Sequence, residues 1–346
     1  MKLKVLVTAV SFGRTSTEPA ALLENAGCEI IRSSLSRPMN EEELLAAVPQ
    51  VDAIITGADI ITRRVIESAR RLRVIAKHGV GVDNIDVQCA TERGIVVTNA
   101  PGSNADSVAD LAFGLMLALA RRIPQADRFT RSGEWDRFIG VEVWGKTIGI
   151  VGLGRIGKGI AVRARGFNME VLACDVFHDE PFAIAQGITF VSFEELLGRA
   201  DFVTLNVPLG PDTRGMVNSR TLRLMKRGAY LINTARGEIV DEAALAEALQ
   251  NGLIAGAAVD VYVKEPPGES PLFSLPNVIV TPHMGAHTAE AARNAGLVAA
   301  NCVVDALAER RPAHLVNPEV YSVKRAIPAD AGSLLSDQAE AVLRSE

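Results

Sequence analysis

The sequence comprises 346 residues with 36 Lys+Arg against 41 Asp+Glu, a net charge of −5, and 48% of its residues are hydrophobic. This composition suits a globular chain of about two domains and excludes a disordered chain, a collagen-like repeat and a coiled coil. A slightly acidic chain does not favour nucleic acid as its main partner, because DNA binding draws on concentrated Lys and Arg.

The four cysteines form no C-x-x-C pair, and only Cys174 has a histidine close by in sequence. We therefore predict no structural zinc site, no other bound metal and no disulfide framework. The N-terminal stretch MKLKVLV is too short before its first polar break for a signal peptide, and no apolar run reaches the ~18 residues that span a bilayer. We expect a soluble, cytoplasmic protein that does not bind membranes.

The first hundred residues alternate short apolar runs with segments of helical period. Asn40 followed by Glu43 has the form of a helix N-cap with its partner at the third position. Apolar strands separated by helices predict a parallel sheet covered on both faces. The predicted strands are 3–9, 28–32, 52–57, 73–77 and 94–99. The helices predicted between these strands include 19–26 and 40–48.

A strongly apolar helix is predicted at 107–122, after the turn Pro101-Gly102. Because this segment is apolar almost all round, we expect it to be buried either between domains or against a second subunit. Pro124 interrupts the pattern, and 125–132 is predicted to continue as another helix. This region is the predicted boundary out of the first domain.

A second alternation of strands and helices begins at residue 147. The long helical pattern at 286–309 has no following strand in that sheet, so we expect it to return to the first domain. The tail is expected to be extended or loosely docked, with a short helix at 334–344. The predicted domains are 1–101 with 286–318, 102–285, and the tail 319–346; the predicted strands are 147–151, 170–174, 188–191, 202–207, 229–233, 255–261 and 278–281.

A glycine-rich turn follows the strand predicted at 147–151. Gly152 permits a tight turn, Gly154 lets the backbone approach a pyrophosphate, and Gly157 lets the following helix pack closely on the strand. The helix N-terminus would supply N–H groups to the phosphates. Asp175 ends the next predicted strand, where a carboxylate accepts hydrogen bonds from the ribose 2′-OH, and 176–180 contains no Arg or Lys. The pattern therefore favours NAD over NADP.

Three residues of complementary chemistry follow later strands of the same predicted sheet, at the carboxyl ends where ligands gather. They are Arg236, Glu265 and His283. Reduction of a 2-keto acid by NADH would need a guanidinium fork for the carboxylate, a histidine as proton donor, and a carboxylate that orients the imidazolium. Taken singly, Arg is usually a solvated or salt-bridged surface residue, Glu before Pro an ordinary loop residue, and His more often structural than catalytic. The three together at strand ends nevertheless predict such a site.

Further short motifs occur in order along the chain: HGVGVDNID at 78–86, NAPGSN at 99–104, SVA at 107–109, GKT at 145–147, NTARG at 233–237, EP at 265–266 and TPHMG at 281–285. With the glycine turn, they make the chain resemble the NAD-dependent D-isomer-specific 2-hydroxyacid dehydrogenases, on the branch of 3-phosphoglycerate dehydrogenase, over about residues 3–320. The resemblance implies an α/β protein of two domains, a flavodoxin-like substrate domain and a Rossmann-type NAD-binding domain. It also implies a homodimer formed through the NAD-binding domain, which would bury the helix at 107–122.

The resemblance also implies roles for individual residues. Arg236, Glu265 and His283 match the catalytic residues of the family. Val80 and Gly81 match the loop whose backbone N–H groups bind the substrate carboxylate, and Lys77 stands where related enzymes often have a basic residue. The positions that match cofactor contacts are Gly152, Gly154, Arg155, Ile156, Gly157, Asp175, Val207, Pro208, Thr213, Thr234, Ala235, Arg236, Asp260, His283 and Gly285.

The chain departs from the family pattern at two places. Thr56-Gly57 stands where phosphoglycerate members have an Arg-Ser pair after the third strand, which leaves open whether the substrate is phosphorylated, although Arg14 or Lys77 could compensate. Asn206 stands where many members have His, at a position that faces the cofactor, so we expect little consequence. Since the sequence ends at residue 346, we expect no long regulatory C-terminal domain.

The predicted function is hydride transfer between NAD(H) and a D-2-hydroxy acid or its 2-keto acid, with 3-phosphoglycerate, hydroxypyruvate and glyoxylate as candidate compounds. The alternative is an NAD(H)-sensing binding protein of the same fold without metabolic turnover, as in the transcriptional corepressors that resemble this family and keep the same three residues. A zinc alcohol dehydrogenase is disfavoured, because the sequence lacks a convincing Cys/His ligand set.

Overall fold

The computed structural model describes residues 2–322. These residues form two compact units: the first contains the chain up to Asn104 and again from His287, and the second is Ala105–Ala286. The tail begins with a 3₁₀ turn at Pro318–Ser322, and the helix predicted at 334–344 lies outside the described residues. Within residues 2–322, every helix is too short or too polar to span a bilayer.

Strands and helices alternate along most of the described chain. The strands are β1 (Leu3–Val7), β2 (Cys28–Arg32), β3 (Ala53–Thr56), β4 (Val74–Lys77), β5 (Val96–Thr98), β6 (Thr147–Val151), β7 (Glu170–Cys174), β8 (Ile188–Phe190), β9 (Phe202–Leu205), β10 (Tyr230–Asn233), β11 (Gly256–Val259) and β12 (Val278–Val280). The helices are α1 (Glu18–Asn25), α2 (Glu41–Ala47), α3 (Arg63–Ser68), α4 (Val87–Glu92), α5 (Ala105–Arg121), α6 (Ile123–Arg131), α7 (Arg155–Arg165), α8 (Glu180–Gln186), α9 (Phe193–Arg199), α10 (Ser219–Leu222), α11 (Glu242–Gln250) and α12 (Ala289–Leu307).

The first unit is built on a parallel sheet of five strands in the order β2-β1-β3-β4-β5. This is the flavodoxin-like order, in which the chain direction across the sheet switches between β1 and β3. All four residues of β3 are buried, as expected for a central strand covered on both faces. The helix α12 packs against α1, β3 and β4 and contributes Ala299, Ala300 and Val303 to the core of this unit.

The predicted capping pattern at the start of α2 is confirmed. The side chain of Asn40 accepts the backbone N–H of Glu43 at 2.9 Å, and the Glu43 carboxylate accepts the backbone N–H of Asn40 at 2.8 Å. Two of the N–H groups that the first turn leaves without intrahelical partners are satisfied in this way. Local sequence chemistry therefore fixes where this helix begins.

The second unit is built on seven parallel strands in the order β12-β11-β10-β9-β6-β7-β8. Six of them follow the doubly wound order of dinucleotide-binding sheets, and β12 extends that sheet by one strand. The order reverses between β6 and β9, which pair directly. The predicted α/β class, with a flavodoxin-like sheet and a Rossmann-type sheet, is confirmed.

The apolar helix α5 is buried inside the second unit. It packs against α7, β10 and β11, and Val108, Ala112 and Met116 are among its buried residues. The expectation that its apolar face needs another domain or a second subunit for burial is wrong, because the unit's own sheet and α7 already cover that face.

Candidate active site

The turn between β6 and α7 needs glycine at two of its three glycine positions for reasons internal to the protein. Gly152 has φ of 93°, and a Cβ there would lie 2.8 Å from the carbonyl of Asn206. A Cβ at Gly157 would lie 2.1 Å from the carbonyl oxygen of Gly152, a separation that no real side chain tolerates. At Gly154 no heavy atom lies within 4 Å of the Cβ position. Packing does not require glycine there, so the open space suits the pyrophosphate of a dinucleotide.

The acid at the end of β7 is tied to this turn. Asp175 accepts the N–H of Leu153 at 2.6 Å through one carboxylate oxygen and the N–H of Phe177 at 3.0 Å through the other. Each carboxylate oxygen can accept more than one hydrogen bond, so the group retains capacity for the hydroxyls of a ribose. The residues present therefore fit an adenosine ribose beside the glycine turn.

The other positions matched to cofactor contacts lie in the second unit, on the first turn of α7 and on the loops after β9, β10, β11 and β12. Thr213 donates its hydroxyl to the carbonyl of Pro208 at 2.7 Å and fixes the loop after β9. The hydroxyl oxygen of Thr234 is buried without a hydrogen-bond partner in residues 2–322. Their assignment as cofactor contacts stays a prediction: Arg155, Ile156, Val207, Pro208, Thr213, Thr234, Ala235, Arg236, Asp260, His283 and Gly285.

Arg236, Glu265 and His283 follow three neighbouring strands. β10 pairs with β11, and β11 pairs with β12, all parallel. The carboxyl ends of the three strands therefore meet at one edge of the sheet, and the structure brings the loops carrying these residues together there.

His283 and Glu265 form a close pair. The Nδ1 atom of His283 lies 2.6 Å from Oε2 of Glu265, and the backbone N–H of Tyr262 donates to Oε1 of Glu265 at 3.1 Å. Burial by itself would raise the pKa of Glu265, but the hydrogen bond and charge of His283, the Tyr262 N–H and the charge of Arg236 together lower that pKa below its usual value. Glu265 is thus held as a carboxylate, and the pairing at Nδ1 leaves Nε2 of His283 for a reacting group.

The turn that carries His283 is organised by a buried carboxylate. Asp260 is 1% exposed, and its carboxylate accepts the Thr281 hydroxyl at 2.6 Å, the Met284 N–H at 2.8 Å and the Gly285 N–H at 2.9 Å. His283 itself has φ of 52°, a left-handed conformation that is uncommon for residues other than glycine. Three charge-assisted bonds to Asp260 hold the chain in that conformation.

Arg236 is placed by its neighbours in the loop after β10. The Asn233 side chain donates to the carbonyl of Arg236 at 2.9 Å and accepts the N–H of Ala235 at 3.1 Å. A Cβ at Gly237 would lie 2.0 Å from the carbonyl carbon of Tyr262. The glycine after Arg236 therefore allows the loops that follow β10 and β11 to lie against each other.

Lys77, Val80 and Gly81 belong to the first unit, in and after β4. Nζ of Lys77 donates to the carbonyl of Gly57 and to the side chain of Asn84, each at 2.6 Å. The carbonyl of Val80 accepts the side-chain amide of Asn99 at 2.7 Å. Lys77 thus braces the Thr56-Gly57 segment that departs from the family pattern, and the assignment of Lys77, Val80 and Gly81 to substrate binding stays a prediction.

Tyr262 is a member of this site that the sequence analysis missed. Its N–H holds Glu265, and its hydroxyl donates to the carbonyl of Thr281 at 3.0 Å, so it links the loops after β11 and β12. Burial is the main cause that raises the pKa of Tyr262 to about 12. The sequence did offer one indication of this role, because Tyr262 lies between the strand predicted at 255–261 and Glu265, in the segment Asp-Val-Tyr-Val-Lys-Glu.

The doubly wound order of the second sheet, with room over its glycine turn, defines a Rossmann-type dinucleotide-binding unit with a paired His and Glu at its carboxyl edge. Residues 113–285 match the family model of the D-isomer specific 2-hydroxyacid dehydrogenase, NAD binding domain. The chain belongs to the D-isomer specific 2-hydroxyacid dehydrogenase family, as the resemblance predicted, and the predicted NAD-binding domain is confirmed.

The relatives carry two different enzyme names. The chain is 45% identical to D-3-phosphoglycerate dehydrogenase of Methanocaldococcus jannaschii over 84% of this chain and 56% of that protein. It is 47% identical to glyoxylate reductase of Thermococcus kodakarensis over 84% of this chain and 90% of that protein. Thus the chain spans about half the length of the phosphoglycerate dehydrogenases it matches. Among solved structures, the TT0316 protein from Thermus thermophilus has a TM-score of 0.83 and 37% identity, covering 91% of this chain and 100% of that one.

Proposed function

We propose that the protein is an NAD-dependent oxidoreductase that interconverts a D-2-hydroxy acid and its 2-keto acid. The observation that carries the proposal is the 2.6 Å contact between His283 and Glu265, at the same edge of the sheet as Arg236. A proton donor, a carboxylate that stabilises its charged form, and a guanidinium fork are the groups that reduction of a keto acid requires.

In the direction of reduction, NADH supplies the hydride when bound. His283 gives the proton from Nε2 to the keto oxygen, and Glu265 stabilises the imidazolium before that transfer. Arg236 holds the carboxylate of the substrate through parallel N–H groups. The buried carboxylate of Asp260 keeps the His283 turn in place. The imidazole that donates the proton is therefore already positioned before the substrate reacts.

The candidate substrates are glyoxylate, hydroxypyruvate and phosphohydroxypyruvate. Glyoxylate occurs in the name of the glyoxylate reductase relative, and phosphohydroxypyruvate is the keto acid that corresponds to the 3-phosphoglycerate in the name of the other relative. The test is oxidation of NADH with a panel of these acids, with NADPH in parallel. We expect turnover on at least one of them, faster with NADH than with NADPH.

The matched variants are His283→Ala and His178→Ala. Both histidines are about half exposed, and each has a glutamate partner, His178 with Glu180 at 3.7 Å. We expect His283→Ala to turn over about 100-fold more slowly than the native protein, or slower still, and His178→Ala to turn over at a near-native rate. Equal rates in both variants would contradict the proton-donor role, whereas tight NADH binding without turnover on any acid would favour the NAD(H)-sensing alternative.

We further propose that the protein forms a homodimer through its NAD-binding unit. Residues between α6 and β6 expose large apolar side chains: Trp135 is 83% exposed, Ile139 90% and Trp144 62%. Exposed apolar groups clustered in one short segment are typical of a protein–protein interface. They support a dimer contact distinct from the face of α5, which the unit itself covers.

A further inference from the structure

A polar cavity opens at the surface of the first unit, at the carboxyl ends of β1 and β2. It has a volume of about 160 Å³ and is lined by the β1–α1 loop and by the start of the loop after β2, and the side chains of Arg14 and Arg32 in its wall are exposed. That volume is far more than the ~15 Å³ needed to hold one water molecule. The carboxyl edge of an open parallel sheet, near the switch in strand order, is where such sheets bind ligands. None of the catalytic or cofactor roles described above uses this cavity.

The cavity contains two positive charges without matching carboxylates. Arg14 and Arg32 both line it, and within residues 2–322 neither lies within 4.0 Å of a carboxylate oxygen. The nearby acids are engaged elsewhere: Glu18 pairs with Arg293 at 2.6 Å, and the carboxylate of Asp59 accepts hydrogen bonds from Thr8, Thr56, Gly57 and Met39. An anion is therefore the ligand that this cavity would attract.

Arg32 is built into the cavity wall. One of its guanidinium nitrogens donates to the carbonyl of Phe12 at 3.0 Å, and the guanidinium lies 5.7 Å from the centre of the Phe12 ring. Gly13 has φ of 73°, and a Cβ there would lie 2.9 Å from Nη2 of Arg32. The glycine thus lets the loop close around the guanidinium, which has five N–H donors and uses one of them here.

Ser33 adds a hydroxyl donor to the same wall. Its oxygen accepts the N–H of Leu35 at 3.2 Å, and the hydroxyl hydrogen has no acceptor in the described part of the chain. Arg14 likewise makes no side-chain hydrogen bond within residues 2–322. The cavity therefore offers donors from three side chains and no side-chain acceptor that is not already engaged.

We propose that this cavity binds the phosphate group of a small metabolite, with Arg14, Arg32 and Ser33 as its ligands. Two guanidinium groups match the charge of about −2 and the three terminal oxygens of a phosphate monoester better than they match the single charge of a carboxylate. The binding itself does not depend on the proposed dehydrogenase activity. The phosphate can be carried by the substrate, which would offset the missing Arg at Thr56-Gly57, or by a separate ligand.

The first measurement is isothermal titration of the full chain, saturated with NADH, with inorganic phosphate at low salt. The variants are Arg14→Gln, Arg32→Gln and, as the matched control, Arg70→Gln. Arg70 is also exposed on the first unit and does not line the cavity. We expect phosphate affinity to fall tenfold or more in the first two variants and to stay unchanged in the control. Because Arg32 contacts the loop, Arg14→Gln is the decisive variant if Arg32→Gln lowers the Tm.

The second measurement separates the two sources of phosphate and rests on the proposed function. A rise in KM for phosphohydroxypyruvate but not for hydroxypyruvate in Arg14→Gln would place the phosphate on the substrate. Unchanged KM values with lost phosphate binding would place it on a separate ligand. The proposal would be overturned if the native protein bound no phosphate, or if Arg70→Gln weakened phosphate binding as much as Arg14→Gln does. Either result would count against the phosphate site even if NADH turnover on hydroxypyruvate shows that the dehydrogenase activity is present.

Discussion

Gly154 and Gly157 stand in the same turn but are required for different reasons. A Cβ at Gly157 meets a backbone oxygen at 2.1 Å, whereas a Cβ at Gly154 meets nothing within 4 Å. We expect Gly157→Ala to lower the Tm and abolish NADH binding, because backbone must move. We expect Gly154→Ala to keep a native Tm and to weaken NADH binding at least tenfold, about 1.4 kcal/mol. Thermal unfolding and NADH fluorescence titration of both variants check this, and native NADH affinity in Gly154→Ala would exclude a close approach of the pyrophosphate.

Asp260 is expected to act as a positioning residue for His283. In Asp260→Asn, one carboxylate oxygen becomes an NH₂ group, which faces either the Gly285 N–H or both the Met284 N–H and the Thr281 hydroxyl. Leaving a buried donor unsatisfied costs about 1–3 kcal/mol, so we expect kcat/KM to fall roughly 10- to 100-fold. The control is Asp212→Asn, an exposed residue of the same unit. A native kcat/KM and native pH profile in Asp260→Asn would show that the His283 turn does not need this carboxylate.

Glu265 is expected to set the pH range of reduction. Its pKa lies below the usual value because His283, Tyr262 and Arg236 outweigh the effect of burial, so it remains ionised as the pH falls until that lowered pKa is reached. Glu265→Gln removes the charge that favours the imidazolium. We therefore expect the alkaline limb of the kcat/KM profile for keto-acid reduction to move to lower pH, measured by NADH oxidation across a buffer series. If the alkaline limb of Glu265→Gln coincides with that of the native protein, Glu265 does not influence the protonation of His283.

The sequence was sufficient to predict that His283, Glu265 and Arg236 lie at one edge of the sheet, because each follows a recognisable apolar strand and parallel strands end at one edge. It was not sufficient for Tyr262, which acts partly through its backbone N–H. Nor did it reveal that the Asp260 carboxylate faces the turn at 281–285. Those contacts depend on backbone conformations, such as the positive φ of His283, that residue types alone do not encode.

At the scale of elements, His78 links the end of β4 to α12. Its Nε2 lies 3.1 Å from the carbonyl of Ala292, and its Nδ1 lies 3.5 Å from the hydroxyl of Ser11. Burial is the main cause that lowers the pKa of His78, and the charges of Lys77 and His287 also lower it, against the effect of hydrogen bonds. In the unfolded chain, the His78 side chain becomes protonated as the pH falls through about 6.5. In the folded state, protonation of His78 requires a lower pH.

Acid should consequently weaken the first unit through His78. Between the ordinary and the lowered pKa the unfolded state binds more protons, so the free energy of unfolding falls as the pH falls. We expect urea unfolding at about pH 7.5 and about pH 5.5, on either side of the ordinary histidine pKa, to show a larger loss for the native protein than for His78→Gln. An equal loss in the two proteins would assign the acid sensitivity to other groups.

Element types were predictable, but their ends and their neighbours were less so. The strand predicted at 3–9 ends at Val7, because the N–H groups of both Thr8 and Ala9 turn to the carbonyl of Ile55. The apolar pattern of α5 indicated burial but not what would cover the helix. Strand ends and packing partners are set by tertiary hydrogen bonds and by topology, which act over long sequence separations.

At the scale of the whole molecule, the proposed dimer should depend on the exposed segment between α6 and β6. Ile139 is 90% exposed, so Ile139→Asp costs little in a monomer but places a charge in an apolar interface. We expect light scattering to show a dimer for the native protein and a monomer for this variant, with the Val176→Asp variant, also fully exposed, remaining dimeric. A native protein with the mass of a monomer in light scattering would contradict the proposed dimer.

The discontinuity of the first unit also bears on how the protein is made. Ala299, Ala300 and Val303 of α12 complete a core whose strands β1–β5 leave the ribosome long before α12 does. At ~5–20 residues per second the interval is roughly 10–40 s, during which the whole second unit emerges. During this interval the part of the apolar sheet face that α12 covers in the folded protein stays exposed, and α1 covers the rest of that core. This interval is the stage of synthesis at which chaperones would have most to protect.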